Sequence, residues 1–294
     1  MDPIVIALVA GSALLHVAWN VRLKSAGDPL IAATIGLLVG SLVIVPLALV
    51  VWWLSGRDPI DPTGVALGLA SGVIEAVYFV LLAAAYRRGD LSVVYPIARG
   101  TAPLLLVVIG VVVLGERLAP AGWVGVACLL VGFLVLQRPW RALAPNRSGG
   151  RDAAVGFAFL TGVAIAGYTT IDRVGTRIIT PVVYAAILWV TGAILLVGWI
   201  RLRHAGPLTA GGPEAVRYAA IGGILTLGAY MLVLIALSVA PLTAVAPLRE
   251  SATVVAAAWG AVRLGEAEDR PDAARRVMAS TVIVVGALLL ALSG

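Results

Sequence analysis

Long apolar runs, separated by short polar or Pro/Gly-rich stretches, recur along the whole chain. We interpret ten of them as helices, at about 3–21, 30–54, 63–86, 92–114, 120–137, 153–171, 181–200, 218–238, 242–263 and 277–293. They have the roughly 20 residues that a helix needs to cross a bilayer, and they lack the alternation of barrel strands. The spacings Gly36-x-x-x-Gly40 and Gly68-x-x-x-Gly72 favour close helix approach. The pattern predicts an all-α polytopic membrane protein with ten transmembrane helices.

The two halves of the chain share short segments at a nearly constant offset. LSVVYPI at 91–97 aligns with LTAVAPL at 242–248, and LGE at 114–116 returns at 264–266. Because five is odd, two five-helix halves of similar sequence must enter the membrane in opposite senses, which makes them inverted repeats. We predict a first five-helix repeat at 1–137, a basic linker at 138–152 and a second five-helix repeat at 153–294.

Composition and charge agree with this interpretation. The chain is 61% hydrophobic and only 12% charged, whereas soluble domains carry about 25% charged residues. Apart from Arg99 and Arg249, which lie inside predicted helices, the odd-numbered connections carry fifteen Lys/Arg and the even-numbered ones four. The positive-inside rule then places the odd connections in the cytoplasm and both termini outside. The basic residues are scattered among short connections, so the net charge of +6 does not indicate a nucleic-acid partner.

Several classes of chemistry have no counterpart in the sequence. The only cysteine, Cys128, lies within an apolar run, which excludes an intrachain disulfide and a cysteine metal cluster. Metalloprotease, serine-hydrolase and P-loop motifs are missing. The first run follows an acidic residue, Asp2, and continues into polar positions, so we expect a retained helix and not a signal peptide. We therefore predict no catalytic residues, no metal site and no cofactor.

Four charged residues lie well inside predicted helices: Glu75, Arg99, Arg249 and Glu250. Each would cost about 2.5–3.5 kcal/mol if it faced lipid, so all four must face the bundle interior or water. One interpretation is two structural ion pairs that join helices 3, 4 and 9. The other is a cavity in which Arg meets a carboxylate and Glu meets an amine or a proton. Pro96 and Pro247, just before the two arginines, favour broken helices at a midplane site, and hence the cavity.

Polar and aromatic side chains share faces with these charges. Tyr78 and Phe79 follow Glu75 at spacings of three and four, and Tyr95 precedes Arg99 by four. His16, a hydrogen-bonded core residue or a substrate contact, shares a stripe of helix 1 with Trp19 and Asn20. In helix 6, Tyr168 precedes Asp172, which we expect to belong to the following loop. We predict a substrate-binding set of His16, Trp19, Asn20, Glu75, Tyr78, Phe79, Tyr95, Arg99, Tyr168, Tyr230, Arg249 and Glu250.

Three segments together resemble the EamA-type branch of the drug/metabolite transporter superfamily: LLHVAWNVRLKSAGDP at 14–29, AAYRRGDLSVVYPIARGTAPLL at 84–105, and LGERL at 114–118 with LGEAE at 264–268. Within that branch the chain is similar to the YddG-type exporters of aromatic amino acids. The resemblance implies alternating access, without ATP, at a central cavity between two five-helix repeats. Ten-helix relatives usually keep both termini inside, whereas the loop charges here place them outside. We follow the loop charges.

These observations predict a secondary transporter of the bacterial inner membrane that exports aromatic or other neutral amphipathic amino acids. Two arginines against two glutamates give the predicted cavity no net charge, which suits a zwitterion. The expected partners are a small-molecule substrate and the lipid bilayer, and we expect the monomer to function. The alternatives are a transporter of phosphorylated or other anionic metabolites in the same superfamily, and a membrane receptor or scaffold that transports nothing.

Overall fold

The computed structural model describes residues 2–24, 27–57, 59–88, 91–137, 149–203, 206–249 and 270–293. These ranges contain helices and turns but no strand, and each predicted apolar run coincides with a helical segment over the part of the run that the structure describes. The segments are α1 (Pro3–Lys24), α2 (Pro29–Leu54), α3 (Pro62–Tyr86), α4 (Leu91–Val112), α5 (Pro120–Gln137), α6 (Gly149–Gly175), α7 (Pro181–Leu202), α8 (Gly212–Val239), α9 (242–249, where the described stretch ends) and α10 (Arg270–Ser293).

Five helices, α2, α3, α6, α7 and α8, are long and apolar enough to cross a membrane. Shorter apolar stretches lie within α1, α4, α5 and α10. Large apolar side chains such as Leu42 and Leu202 remain exposed on the outside of the bundle. At the end of α2 the Arg57 guanidinium lies 3.7 Å from the centre of the Trp53 ring. Aromatic and cationic side chains at a helix end are typical of the lipid–water boundary, so this outer surface fits a multi-pass membrane protein.

Proline and aspartate set the starts of two of these helices. Both α2 and α3 begin at proline, whose missing N–H costs nothing in the first turn. Before α2, the Asp28 carboxylate accepts the N–H of Leu30 at 2.8 Å. Before α3, the Asp61 carboxylate accepts the N–H of Thr63 at 2.7 Å, and this hydrogen bond lowers the pKa of Asp61. The caps satisfy backbone donors that the helix itself leaves free.

Helix packing follows a two-fold pattern. Exchanging each helix of the first five with the one five places later converts one packed pair into another. The pair α3–α6 becomes α1–α8, and the pair α3–α7 becomes α2–α8. The pairs α2–α7 and α5–α10 map onto themselves under the same exchange. The helices of one half therefore pack largely on helices of the other, and the centre of the bundle lies between the halves.

Glycines allow the closest of these contacts. A Cβ on Gly36 of α2 would lie 3.1 Å from the Cα of Gly223 in α8, and one on Gly72 of α3 would lie 2.7 Å from the carbonyl oxygen of Leu188 in α7. Gly40 packs against the Trp189 indole, and Gly68 packs against Ile187. Both predicted glycine pairs therefore lie at helix contacts.

Two adjacent glycines of α8 give a matched test of this packing. A Cβ on Gly223 would overlap the backbone of Gly36, whereas one on Gly222 would meet nothing within 4 Å. We expect Gly223→Ala to lower the stability by about 1–3 kcal/mol, because overpacking forces the helices apart. Gly222→Ala should leave it unchanged or raise it, since alanine favours helix. Thermal unfolding in detergent measures both, and equal melting temperatures would contradict the close α2–α8 contact.

The prediction that Asp172 belongs to a loop is wrong. Helix α6 continues past the predicted end at residue 171 to Gly175, and Asp172 is 1% exposed. The apolar run ends at the aspartate, but α6 packs on α3 at this level and the neighbouring helices supply polar partners to the carboxylate. Helix α8 likewise begins before its apolar run, in a polar first turn.

Candidate functional site

The Asp172 carboxylate joins four helices at the centre of the bundle. Its Oδ1 accepts the hydroxyl of Ser71 from α3 at 2.5 Å and that of Tyr184 from α7 at 3.0 Å. Its Oδ2 accepts the hydroxyl of Tyr230 from α8. Three hydroxyl donors compensate the cost of burying the carboxylate. The network links the first half of the chain to the second.

A second carboxylate, Glu75, lies one turn along α3 from Ser71. Its side chain is buried, and its Oε2 atom has no hydrogen-bond partner. Glu75 interacts electrostatically with Asp172, and Asp172 interacts with the buried guanidinium of Arg249 in α9. Charges of both signs therefore meet where the two halves pack together. An unpartnered carboxyl oxygen in such a place calls for a proton, a water molecule or a ligand.

Aromatic rings extend from this centre across four helices. The Tyr78 ring lies 4.8 Å from that of Phe79 and 5.9 Å from that of Tyr168, between ring centres. Tyr168 lies 6.1 Å from Tyr230, which lies 5.3 Å from Trp189. These separations fall in the range of favourable edge-to-face and tilted ring pairs. The charged centre thus has a continuous aromatic wall.

A small cavity lies beside this wall. It measures about 30 Å³, room for about two water molecules. Trp19 and Trp189 belong to its lining, and their indole N–H groups are buried without an acceptor; the Trp189 N–H lies against Gly40 of α2. A substrate the size of an amino acid would require the surrounding helices to separate. The lining residues are Trp19, Ala32, Ala33, Gly36, Leu37, Phe79, Trp189, Tyr218, Ala219, Gly222, Gly223 and Thr226.

The structure brings most of the predicted site residues with described side chains to this region. Trp19 and Phe79 line the cavity, and His16 contacts the Trp19 ring from the edge at 5.6 Å between ring centres. The other members that it places at the centre are Glu75, Tyr78, Tyr168, Tyr230 and Arg249. The side chains of Asn20, Tyr95 and Arg99, and the whole of Glu250, lie outside the described part of the chain.

The sequence prediction missed four residues of this region, namely Ser71, Asp172, Tyr184 and Trp189. Two had a signal: Ser71 precedes Glu75 by four residues, so a helix puts them on one face, and Asp172 follows Tyr168 by four. Trp189 lies in the middle of an apolar run instead of at its end, which is unusual for an interfacial anchor. Tyr184 had no such signal, because only the packing of α7 on α3 brings it to Asp172.

A separate polar cluster connects the LGE segment of the first half to the start of α9. One Glu116 oxygen accepts the N–H of Leu242 at 2.7 Å. The other accepts the N–H and the hydroxyl of Thr243, both at 2.9 Å. Arg173 of α6 donates to the same carboxylate through Nε at 3.4 Å. Glu116 therefore caps a helix of the opposite half, and the cap also holds a buried arginine.

Among the residues that the structure describes, no three His, Cys, Asp or Glu side chains are grouped so as to hold a metal ion. The central arrangement is a small polar core walled by aromatic rings. Its chemistry is that of recognition by charge, hydrogen bonding and ring contact.

A model of the EamA-like transporter family matches residues 3–138 and 152–292. The spermidine export protein MdtI of Salmonella arizonae is 37% identical over 70 residues, which are 24% of this chain. The chain covers 64% of the length of that curated relative. A solved crystal structure aligns with 98% of this chain and 97% of its own, at a TM-score of 0.75 and 20% identity, which shows a common fold.

Proposed function

Because this chain belongs to the EamA-like transporter family, we propose that it is a secondary transporter that exports aromatic and other neutral amphipathic amino acids. Transporters of this family act on small molecules and are embedded in the membrane. We propose ten spans in two inverted repeats, at 1–137 and 153–294 with a linker between them. The two-fold pattern of helix pairs supports this arrangement.

The observation that carries the proposal is the aromatic wall beside buried charges of both signs. Tyr78, Phe79 and Trp189 offer flat apolar area to a substrate ring, and ring pairs contribute about 0.5–1.5 kcal/mol beyond burial. Glu75 supplies an acceptor for the ammonium group of the substrate, and Arg249 supplies positive charge for the carboxylate of the substrate. The predicted members Asn20, Tyr95, Arg99 and Glu250 belong to the same proposal.

The size of the cavity supports alternating access. At about 30 Å³ it is too small for an amino acid, so the helices must separate to admit one. Because the helices of each half pack chiefly on the other half, rocking of one half against the other opens the centre to one side and then to the other. We propose that the monomer carries out this cycle.

We propose the bacterial inner membrane as its location, with the odd-numbered connections in the cytoplasm and both termini outside. Labelling tests the orientation. A cysteine at Ser148, in a Cys128→Ala background, should react with an impermeant maleimide only after the cells are permeabilised. Ready labelling of intact cells would contradict the charge rule.

Uptake by proteoliposomes tests the substrate class. Unlabelled phenylalanine or tryptophan should compete with labelled phenylalanine, and alanine or threonine should compete less well. Tyr78→Ala should weaken competition by aromatic amino acids more than competition by threonine. Competition by a sugar phosphate but by no amino acid would favour the anionic alternative, and a protein that moves none of these solutes would favour the receptor or scaffold.

A cationic amine is the second candidate substrate. Among the described residues of the centre, two buried carboxylates, Glu75 and Asp172, outnumber one buried arginine, Arg249, which interacts with Asp172. An acidic excess attracts polyamines and other organic cations. The local similarity to a spermidine exporter points the same way. Competition by spermidine that exceeds competition by phenylalanine would favour this candidate.

A further inference from the structure

Three unsatisfied polar atoms belong to side chains that line the cavity, Trp19 and Trp189, or lie one turn from the lining residue Phe79, as Glu75 does. Among the described residues, five buried side-chain nitrogen or oxygen atoms have no hydrogen-bond partner, and three of them are Trp19 Nε1, Trp189 Nε1 and Glu75 Oε2. Native proteins leave few such atoms, and each calls for an explanation. The two indole N–H groups are donors and the Glu75 oxygen is an acceptor. A ligand that carries both an acceptor and a donor would complement them.

Their positions relate the three side chains to the same cavity. Trp19 and Trp189 line the cavity from α1 and α7, together with Leu37 of α2. A Cβ on Gly192 of α7 would lie 3.5 Å from Leu37 and 4.0 Å from Glu75 Oε2. Gly192 therefore lies between the free carboxylate oxygen and the lining residue Leu37, on the side of α7 that also carries Trp189 three residues earlier. The Trp189 N–H lies against Gly40 of α2, so it becomes accessible when α2 and α7 separate to admit a substrate.

We propose that Glu75, Trp19 and Trp189 form a subsite for an α-aminoacyl group, that is, for an ammonium and a carbonyl on neighbouring carbons. The proposal rests on the proposed transport function and specifies which substrate atoms these side chains bind. Glu75 accepts from the ammonium, and the indole N–H groups donate to the carbonyl oxygen. The indole N–H groups can donate to a carboxylate or to an amide, because both present a carbonyl-type acceptor oxygen.

The subsite predicts an order of affinities among phenylalanine analogues. Phenylalaninamide and phenethylamine are both aromatic cations, but only the amide has a carbonyl oxygen. Phenethylamine would leave the buried indole donors unpaired, and sites built around hydrogen bonds reject such analogues strongly. We expect phenylalaninamide to halve the uptake of labelled phenylalanine at a concentration about tenfold or more below the concentration of phenethylamine that has the same effect. N-acetylphenylalaninamide, which has no ammonium, should compete as poorly as phenethylamine.

Phenylalanine substitutions at the two tryptophans isolate the N–H groups. Trp189→Phe and Trp19→Phe each keep an aromatic ring and remove an N–H donor. In either variant, phenylalaninamide and phenethylamine should therefore compete at more nearly equal concentrations. Trp123→Phe is the matched control, because this indole is exposed on α5, and it should keep the full preference. Trp189 is fully buried, so Trp19→Phe supports the test if Trp189→Phe does not purify as a monodisperse species.

Glu75→Gln tests the other end of the subsite. Glutamine keeps the size but loses the negative charge, so phenylalaninamide should lose its advantage over N-acetylphenylalaninamide. Equal preferences in wild type, both tryptophan variants and the control would overturn the subsite while phenylalanine transport stands. If wild type does not transport phenylalanine, the proposed function fails. Thermal stabilisation of the purified protein by phenylalaninamide but not by phenethylamine then supports the subsite, and equal stabilisation overturns it.

Discussion

Replacing Asp172 by asparagine is expected to bring transport to background. Ser71 and Tyr184 donate to one carboxylate oxygen and Tyr230 donates to the other. Either orientation of the amide therefore places its NH₂ group against a hydroxyl that donates in wild type, and that hydroxyl must turn its hydrogen away from its former acceptor. Each mismatched donor costs about 1–3 kcal/mol in a buried site, and the charge opposite Arg249 is lost as well. Initial rates of labelled phenylalanine uptake in proteoliposomes measure the effect.

Two further variants show whether the network itself matters. Asp61→Asn makes the same chemical change at an exposed helix cap, where asparagine caps as well as aspartate, so it should leave transport unchanged. Ser71→Ala removes one of three donors and should have an intermediate effect. If Asp172→Asn transports at the wild-type rate while remaining monodisperse, the network has only a structural role.

The helices were predictable from the sequence because lipid imposes a local rule. In hydrocarbon, the backbone N–H and C=O groups must form their hydrogen bonds within each segment. A long apolar run therefore indicates a helix before any neighbouring helix is known. The ends are less constrained. Helix α6 continues beyond its apolar run to Asp172 because hydroxyls from three other helices, Ser71, Tyr184 and Tyr230, meet the carboxylate there, and the local sequence does not contain that information.

Site residues were predictable where the free-energy cost of exposing a charge to lipid fixes which way the side chain faces. A glutamate or arginine in an apolar run must face inward, and Glu75 and Arg249 are buried. Trp189 could not be assigned to the site in this way, because tryptophan occurs in the core, at the membrane interface and in binding sites alike. Its place at the cavity depends on Gly40 of α2, where a Cβ would collide with the indole.

The repeated LGE segment indicated a relation between the halves but not its physical role. The sequence contains only the similarity, whereas the structure shows Glu116 bound to the first residues of α9, which belong to the other repeated segment. One member of each repeated pair of segments thus takes part in the same contact. A helix that is capped from the opposite half is held in place by inter-repeat packing as well as by its own residues.

The largest loss of stability is expected from Glu116→Ala. The change leaves the N–H groups of Leu242 and Thr243 without their acceptor and removes the carboxylate next to Arg173. Stranding a buried charge costs about 3–5 kcal/mol, and loss of a cap adds about 0.5–2 kcal/mol. We therefore expect a fall in melting temperature of about 10 °C or more in detergent. Glu116→Gln, which keeps one acceptor oxygen, should fall between this variant and wild type.

An acidic residue in the first turn of another helix provides the control. Glu214 of α8 is exposed, and Glu214→Ala should change the stability by no more than about 0.5 kcal/mol. A second test removes the stranded charge. In the double variant Glu116→Ala/Arg173→Met the loss should be smaller than the sum of the two single losses, because the two groups are coupled. Additive losses, or a Glu116→Ala variant as stable as Glu214→Ala, would contradict the cap. Since α9 carries Arg249 less than two turns beyond Thr243, loosening its start should also lower the rate of transport in the molecules that remain folded.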